Sequence, residues 1–423
     1  MSEFNIDKVR VQFPCLSKTV NGYPATFLDG PGGTQVPTKV TDKINEYLYY
    51  YNANAHGNFV TSHESDELVL KAREAYGDFF NCLPEEVVFG ANTSDNAFRL
   101  AFAFLRTMKE EDEILITDID HEANRSPWRT MADFGMVVNS AKVHIDTCTL
   151  DMADFEKKLT PKTKIVAVNW AANACGTITD VKKCIKLVRE KSPGAIAIVD
   201  AVHYAPHKPM DVKDIDADIV FTSSYKYCGP HLGIMYVRKE VGEALKTIRV
   251  MADDNTEMPY KVEVGTLAME LIHGAVAALE FIEEIGIENE AKFESQLSGV
   301  QGRRRRLLAG MLSIDAYEEP IAKKLRTQLG KIDGLKIYGP EEGAPRTPTV
   351  SFTVDGVNSG IIGKALGEKG IFVWDGDFYA IEIINNVLKL EDKGGLVRIG
   401  LAPYNTEAEI DRTIEVIKEI VSG

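Results

Sequence analysis

Two short runs in the middle of the chain carry the residue types that do chemistry. Ala195-Ile-Ala-Ile-Val-Asp200 is an apolar strand candidate that ends in a carboxylate. Asp218-Ile-Val-Phe-Thr-Ser-Ser-Tyr-Lys226 is a second, running into a polar turn that ends in a lysine. Each has an ordinary reading alone. Asp200 could hold a metal, cap a helix or pair with a cationic ligand atom, and most lysines are solvated surface groups. The 26-residue spacing changes the reading, because it suits two successive strands delivering both groups to one end of a sheet. A cofactor with an aldehyde and a basic ring nitrogen needs that pair. The lysine amine forms a Schiff base, and the carboxylate keeps the ring nitrogen protonated so that the ring accepts electrons.

Other segments fit around such a pair. In Phe89-Gly-Ala-Asn92-Thr93-Ser94, hydroxyls and backbone N–H groups open a helical pattern, which makes either an anion site or a plain cap. Arg398 sits in Val397-Arg-Ile-Gly-Leu, where a guanidinium fork suits a carboxylate and a surface arginine is the alternative. The glycines of Leu28-Asp-Gly-Pro-Gly-Gly-Thr34 allow close backbone approach to a ligand, or simply make a turn.

The elements that must position these residues alternate. Strand candidates are Val87–Phe89, Glu113–Thr117, Lys142–Ile145, Ile165–Asn169, Ala195–Val199, Ile219–Thr222 and Ile234–Val237. Helical patterns lie between them at Asp95–Arg106, Ala123–Phe134 and Val181–Lys191. This predicts an α/β fold with a mainly parallel sheet covered on both faces, and ligands beyond the carboxyl ends of the strands. A long helical stretch follows from about Thr266 to Met311, in which Arg303–Arg306 read as a solvated face. Strand candidates Lys336–Tyr338, Thr349–Val354, Ile371–Trp374 and Val397–Leu401 then surround a helix near Ser359–Lys369. The last helix opens on a capping box, Thr406 and Glu409, with Ile410, Ile414, Ile417 and Val421 on one face. The loop Gly339–Pro348 reads as a flexible turn. The expected division is an N-terminal segment 1–25, a large domain 26–265, a connecting helical region 266–310 and a small α+β domain 311–423.

The chain has 423 residues and a net charge of −15, with 44% hydrophobic and 26% charged residues. This is the balance of a globular protein and excludes disordered or collagen-like classes. The negative charge argues against a nucleic-acid or anionic-membrane partner, although a local pocket can still oppose the global field. No apolar run approaches membrane-span length, and the start lacks a signal-peptide plan, so a cytoplasmic protein is expected. The six cysteines include no C-x-x-C pair, which argues against a disulfide framework or zinc cage; no metal site is expected.

From about Phe27 to Tyr404 the motifs resemble, in order, those of the class V aminotransferase group of fold-type I pyridoxal-phosphate enzymes. Within it they are similar to the cysteine desulfurase and selenocysteine lyase branch. The resemblance implies a large domain built on a seven-stranded, mainly parallel sheet and a smaller C-terminal domain, with pyridoxal 5'-phosphate on Lys226. It implies that Asn92, Thr93 and Ser94, with Ser223 and Tyr225, hold the phosphate; Tyr225 replaces the family's histidine. Asp120-His121-Glu-Ala-Asn124 resembles E-H-x-A-N, which places His121 on the pyridine ring; a capping or packing histidine is the alternative. Asn173, in Asn169-Trp-Ala-Ala-Asn-Ala-Cys-Gly176, resembles the asparagine near the ring hydroxyl. In Asp200-Ala-Val-His203 the histidine stands where the family has Gln, which implies a titratable donor at the phenolic oxygen. Gly265-Thr266 is similar to an element that reaches the neighbouring subunit's phosphate, implying a homodimer with shared sites; a helix N-cap is compatible. Arg398 matches the arginine that clamps a substrate carboxylate, and Asn52-Ala-Asn-Ala-His56 a stretch over the substrate mouth.

One departure decides the expected reaction. Desulfurases of this branch carry a mobile cysteine in the loop that here reads Ile371-Phe-Val-Trp-Asp-Gly-Asp-Phe-Tyr379. Tyr379 falls at that position, and no cysteine follows Cys228, itself best read as a buried structural thiol. The expected function is therefore a lyase acting on a small α-amino acid by β-elimination at a C–S or C–Se bond. Transamination, epimerisation and a non-catalytic cofactor-holding scaffold are the alternatives.

Overall fold

The computed structural model describes residues 4–248, 250 and 256–422. Seven strands form the large sheet: β1 (Val87–Gly90), β2 (Glu113–Thr117), β3 (Val137–Ala141), β4 (Thr163–Asn169), β5 (Ile196–Asp200), β6 (Ile219–Ser223) and β7 (Gly233–Val237). Their order is β1-β7-β6-β5-β4-β2-β3. Only β7 runs antiparallel to its neighbours. The inner strands are apolar throughout because both faces are covered. Ala197 and Val199 face one core, Ile198 the other. Helix α1 (Val60–Phe80) packs on the first face; α2 (Thr93–Leu105) packs on the second and α3 (Val181–Lys191) on the first.

Helices α4 (Met269–Asn289) and α5 (Gly302–Leu329) follow. A small antiparallel sheet then forms from β8 (Leu335–Tyr338), β9 (Thr349–Val354), β10 (Trp374–Gly376) and β11 (Leu396–Gly400), in the order β8-β9-β11-β10. Helices α6 (Ser359–Glu368) and α7 (Glu407–Ser422) cover it. The capping box of α7 is present: Thr406 N–H donates to Glu409, whose own N–H donates to the Thr406 hydroxyl. No helix among the described residues is long and apolar enough to cross a membrane.

Several expectations need correcting. The seventh strand is Val137–Ala141, not Lys142–Ile145; Val143–His144 instead pairs with Thr149–Leu150 in a hairpin. An edge strand is half exposed, so it lacks the continuous apolar run that marks the inner ones. The Ala123–Phe134 pattern is broken into a short helix, Ser126–Thr130, between two 3-10 turns. Pro127, which has no N–H to donate, sits in the first turn of that helix. The Thr266–Met311 stretch is two helices separated at 290–301; Gly299 in the break and Gly302 at the start of the second helix take φ of +79° and +64°. The second helix runs through the expected 310/311 division. Ile371–Trp374 splits: Ile371–Phe372 pairs with Thr26–Phe27, while Trp374 enters the small sheet.

Arg303–Arg306 are not a solvated face. Arg304 donates to the carbonyls of Asp78, Phe79 and Met210, near the C-terminus of α1. Arg303 and Arg306 bind Glu283 on α4, and Arg305 binds Glu290 and Glu294. Cations at carbonyl-rich helix ends and opposite acidic partners tie three elements together. The Gly339–Pro348 loop is likewise anchored in its second half: Arg346, Thr347 and Pro348 are buried, and Thr347 N–H donates to Gly176.

Candidate active site

The site lies beyond the carboxyl ends of β1, β2, β4, β5 and β6. Asp200 is the last residue of β5, and Lys226 follows β6 by three residues. Parallel pairing sets Asp200 beside Asn169 and Phe221, which brings the two loops to one end. Asp200 is buried, and its Oδ1 accepts the N–H of Val202 at 2.9 Å. Burial pushes its carboxyl up to about 6, with Lys226 opposing that shift. The Lys226 amine donates to the Pro31 carbonyl and lies 4.7 Å from the centre of the Tyr225 ring. Burial, then the charge of Arg398, pulls it down to about 7; Asp200 and Asp29 oppose this.

His121 follows β2. Its Nδ1 accepts the Ala123 N–H at 2.9 Å, so a proton on the neutral ring resides on Nε2. Burial, then Lys226 and Arg398, lowers it to about 4, so it is neutral at pH 7. The Tyr379 ring lies 5.7 Å from the His121 ring, and the Tyr379 carbonyl accepts the N–H of Glu122.

Arg398, in the middle of β11, is 3% exposed. It donates to the Asn173 carbonyl at 2.9 Å and lies 4.1 Å over the Phe378 ring, and its Nε has no protein partner. Burial lowers it to about 9. Asn173 thus orients the arginine, while its own amide donates to Phe378 O. His203 is buried with Nε2 against the hydroxyls of Thr349 (3.0 Å) and Thr347 (3.1 Å). Burial holds it well below the usual histidine range, so it stays neutral where titration was expected.

At the N-terminus of α2, the Thr93 hydroxyl meets the Ser223 hydroxyl at 2.7 Å. Asn92 caps the helix through Asp95 N–H, and Ser94 is exposed beside it. A Cβ at Gly233 would stand 2.5 Å from the Asn92 carbonyl carbon, so glycine lets β7 approach this turn. The Tyr225 ring stacks on His231 at 4.7 Å and 16°. Hydroxyls at a helix N-terminus, a lysine of depressed basicity, a carboxylate on the next strand and an unpartnered buried guanidinium N–H fit pyridoxal phosphate and a carboxylate substrate.

Two expected site residues are not part of this cluster. His56 is exposed and pairs with Asp66 at 3.1 Å. Thr266 is exposed and does not cap α4, whose N-cap is Ala268. Sequence reasoning also missed Asp29. Its Oδ1 is buried without a hydrogen bond, burial raises it to about 6, and it attracts both Arg398 and Lys226. The only sequence signal was its place beside the glycines. Thr347 and Thr349, which hold His203, gave none. Cys228 is buried and pushed up to about 12, as fits a structural thiol.

Fold and site together define a fold-type I pyridoxal-phosphate enzyme. The family model of aminotransferase class-V matches residues 26–304 and 306–413, and the chain belongs to that family. It is 30% identical to the aminotransferase-like protein FGM3 of Gibberella zeae, over 99% of both chains. It is 27% identical to a cysteine desulfurase of Haloferax volcanii, over 98% of this chain and 96% of that one. The fold is shared with the apo cysteine desulfurase of Thermococcus onnurineus NA1, with a TM-score of 0.84 at 24% identity, covering 100% and 99% of the two chains.

Proposed function

We propose that this enzyme binds pyridoxal phosphate and cleaves a C–S or C–Se bond of a small α-amino acid by β-elimination, without a persulfide cysteine. The carrying observation is Tyr379: a phenol stands over His121 where desulfurases of the branch are expected to present a thiol, and no cysteine follows Cys228. When bound, the cofactor supplies an electron sink for charge developing at the substrate Cα.

The chain's own groups do the rest. Arg398, held by Asn173 and flanked by Phe378, binds the substrate carboxylate. Lys226, about half of it free amine at pH 7, takes the Cα proton at Nζ. Asp200 would pair with the cofactor's ring nitrogen and favour its protonated form, which would draw its carboxyl back toward the ionised form. Asn92, Thr93, Ser94, Ser223 and Tyr225 anchor the phosphate. Asn173 and His203 would serve the cofactor's ring hydroxyl. Neutral His121 would hold the cofactor's ring and has its Nε2 proton to offer. His56 and Thr266 serve the site of the other subunit in a homodimer.

To test this, the purified protein is supplied with pyridoxal phosphate and incubated with cysteine, cystine and selenocysteine. Pyruvate and ammonia are expected, with sulfide from cysteine, thiocysteine from cystine and selenide from selenocysteine. Alanine with an enzyme-bound persulfide would refute the thiol argument. The similarity to an aminotransferase-like protein favours transamination as the second reading, for which turnover would require a keto acid.

A further inference from the structure

A cleft of about 360 Å³ opens between α5, β8 and the Gly339–Pro348 loop, and it shares no residue with the Lys226 site. Two arginines line it, Arg326 from α5 and Arg346 from the loop, with side chains of residues only 5% and 6% exposed. Each keeps an N–H without a protein partner: Nη1 of Arg326 and Nε of Arg346. Arg326 is shared between Glu319 at 2.8 Å and Glu342 at 3.2 Å. Among the described residues the Arg346 side chain donates only to the Pro340 carbonyl; Arg326 repels it and the same two carboxylates attract it from a distance. Thr327 also lines the cleft.

Buried guanidinium groups are normally satisfied, so two unfilled donors buried in the walls of one cleft leave a demand for acceptors there. Glu342 is the sole carboxylate lining the cleft, and its side chain is 55% exposed on a loop whose Gly343 has φ of +91°. A half-exposed ion pair is weakly held and easily exchanged. We propose that this cleft binds a small oxyanion, a phosphate or carboxylate group, which takes the place of the Glu342 carboxylate and engages both arginines. A local pair of buried cations makes this workable on a chain of net charge −15. The loop that supplies Arg346 also supplies Thr347, which touches His203, so an occupant sits one residue from the wall of the catalytic site.

The test is calorimetric titration with inorganic phosphate and, separately, acetate, using protein loaded with pyridoxal phosphate so that the Thr93–Ser223 cradle is filled. With the Arg398 clamp removed by Arg398→Gln for the acetate titration, one saturable site is expected, and the tighter probe tells a phosphate site from a carboxylate site. Glu342→Gln removes the internal competitor and should tighten binding by about threefold, whereas Arg346→Gln should weaken it by about tenfold. Ser223→Ala should leave it unchanged. Absence of saturation in both the wild type and Glu342→Gln would overturn the proposal, as would loss of binding in Ser223→Ala alone. Because Glu342 is at the surface, its variant keeps the test decisive even if Arg346→Gln fails to fold.

Discussion

The amine of Lys226 titrates in a pocket that disfavours its charge. Burial and Arg398 bring it to about 7, whereas an exposed lysine loses its proton near about 10.4. Borohydride-trapped attachment of pyridoxal phosphate at Lys226 should therefore accelerate as pH rises through about 7 and level off above it. Peptide mass spectrometry at each pH measures this; a rise still continuing past about pH 9 would mark an ordinary amine. Asp29 stabilises the ammonium form, so Asp29→Asn should move the profile to lower pH. Lys226 and Asp200 were legible because strand ends announce them, whereas His121 and Arg398 were reached through the motifs around them. Asp29 was not, since an Asp next to glycines reads as a turn until the fold sets it against two cations.

At the scale of elements, the sheet was readable where it is buried on both faces and unreadable at its edge. Val137–Ala141 carries half-exposed residues, so hydrophobic patterning passed over it. Charge was misread for a related reason. A run of four arginines looks solvated in sequence, but three-dimensional neighbours supply Glu283, Glu290 and the carbonyls ending α1. Another internal pair is deeper. Arg73 of α1 meets Glu263 at 2.8 Å with both side chains about 5% exposed, and Glu263 also accepts the Phe89 N–H of β1. Glu263→Ala leaves a buried, uncompensated guanidinium and should cost about 3–5 kcal/mol of stability, measured by denaturant unfolding. A cost below about 1 kcal/mol would show that Arg73 finds water or another acceptor.

For the whole molecule, the exposed residues speak most. Leu48, Tyr49, Tyr50, Phe59 and Val60 are all exposed, on the same chain segment as His56. Large apolar groups gathered at a surface mark an interface. With His56 and Thr266 also outward, the expected assembly is a homodimer whose partner covers this face and completes the site. Sedimentation should show a dimer, and Tyr50→Asp with Val60→Asp should give a monomer that holds pyridoxal phosphate more weakly. A monomeric wild-type protein with full cofactor affinity would exclude shared sites.

The sequence by itself determined the α/β class, the parallel inner strands and the pairing of Asp200 with Lys226, because continuous apolar runs and strand-end polar residues follow from local burial and chain order. Only the tertiary structure decided which charges are paired, that His203 stays neutral between two threonines, that Asp29 joins the site and that Arg326 and Arg346 share a cleft. Those outcomes depend on desolvation and on neighbours far apart in the chain, and neither is written in spacing.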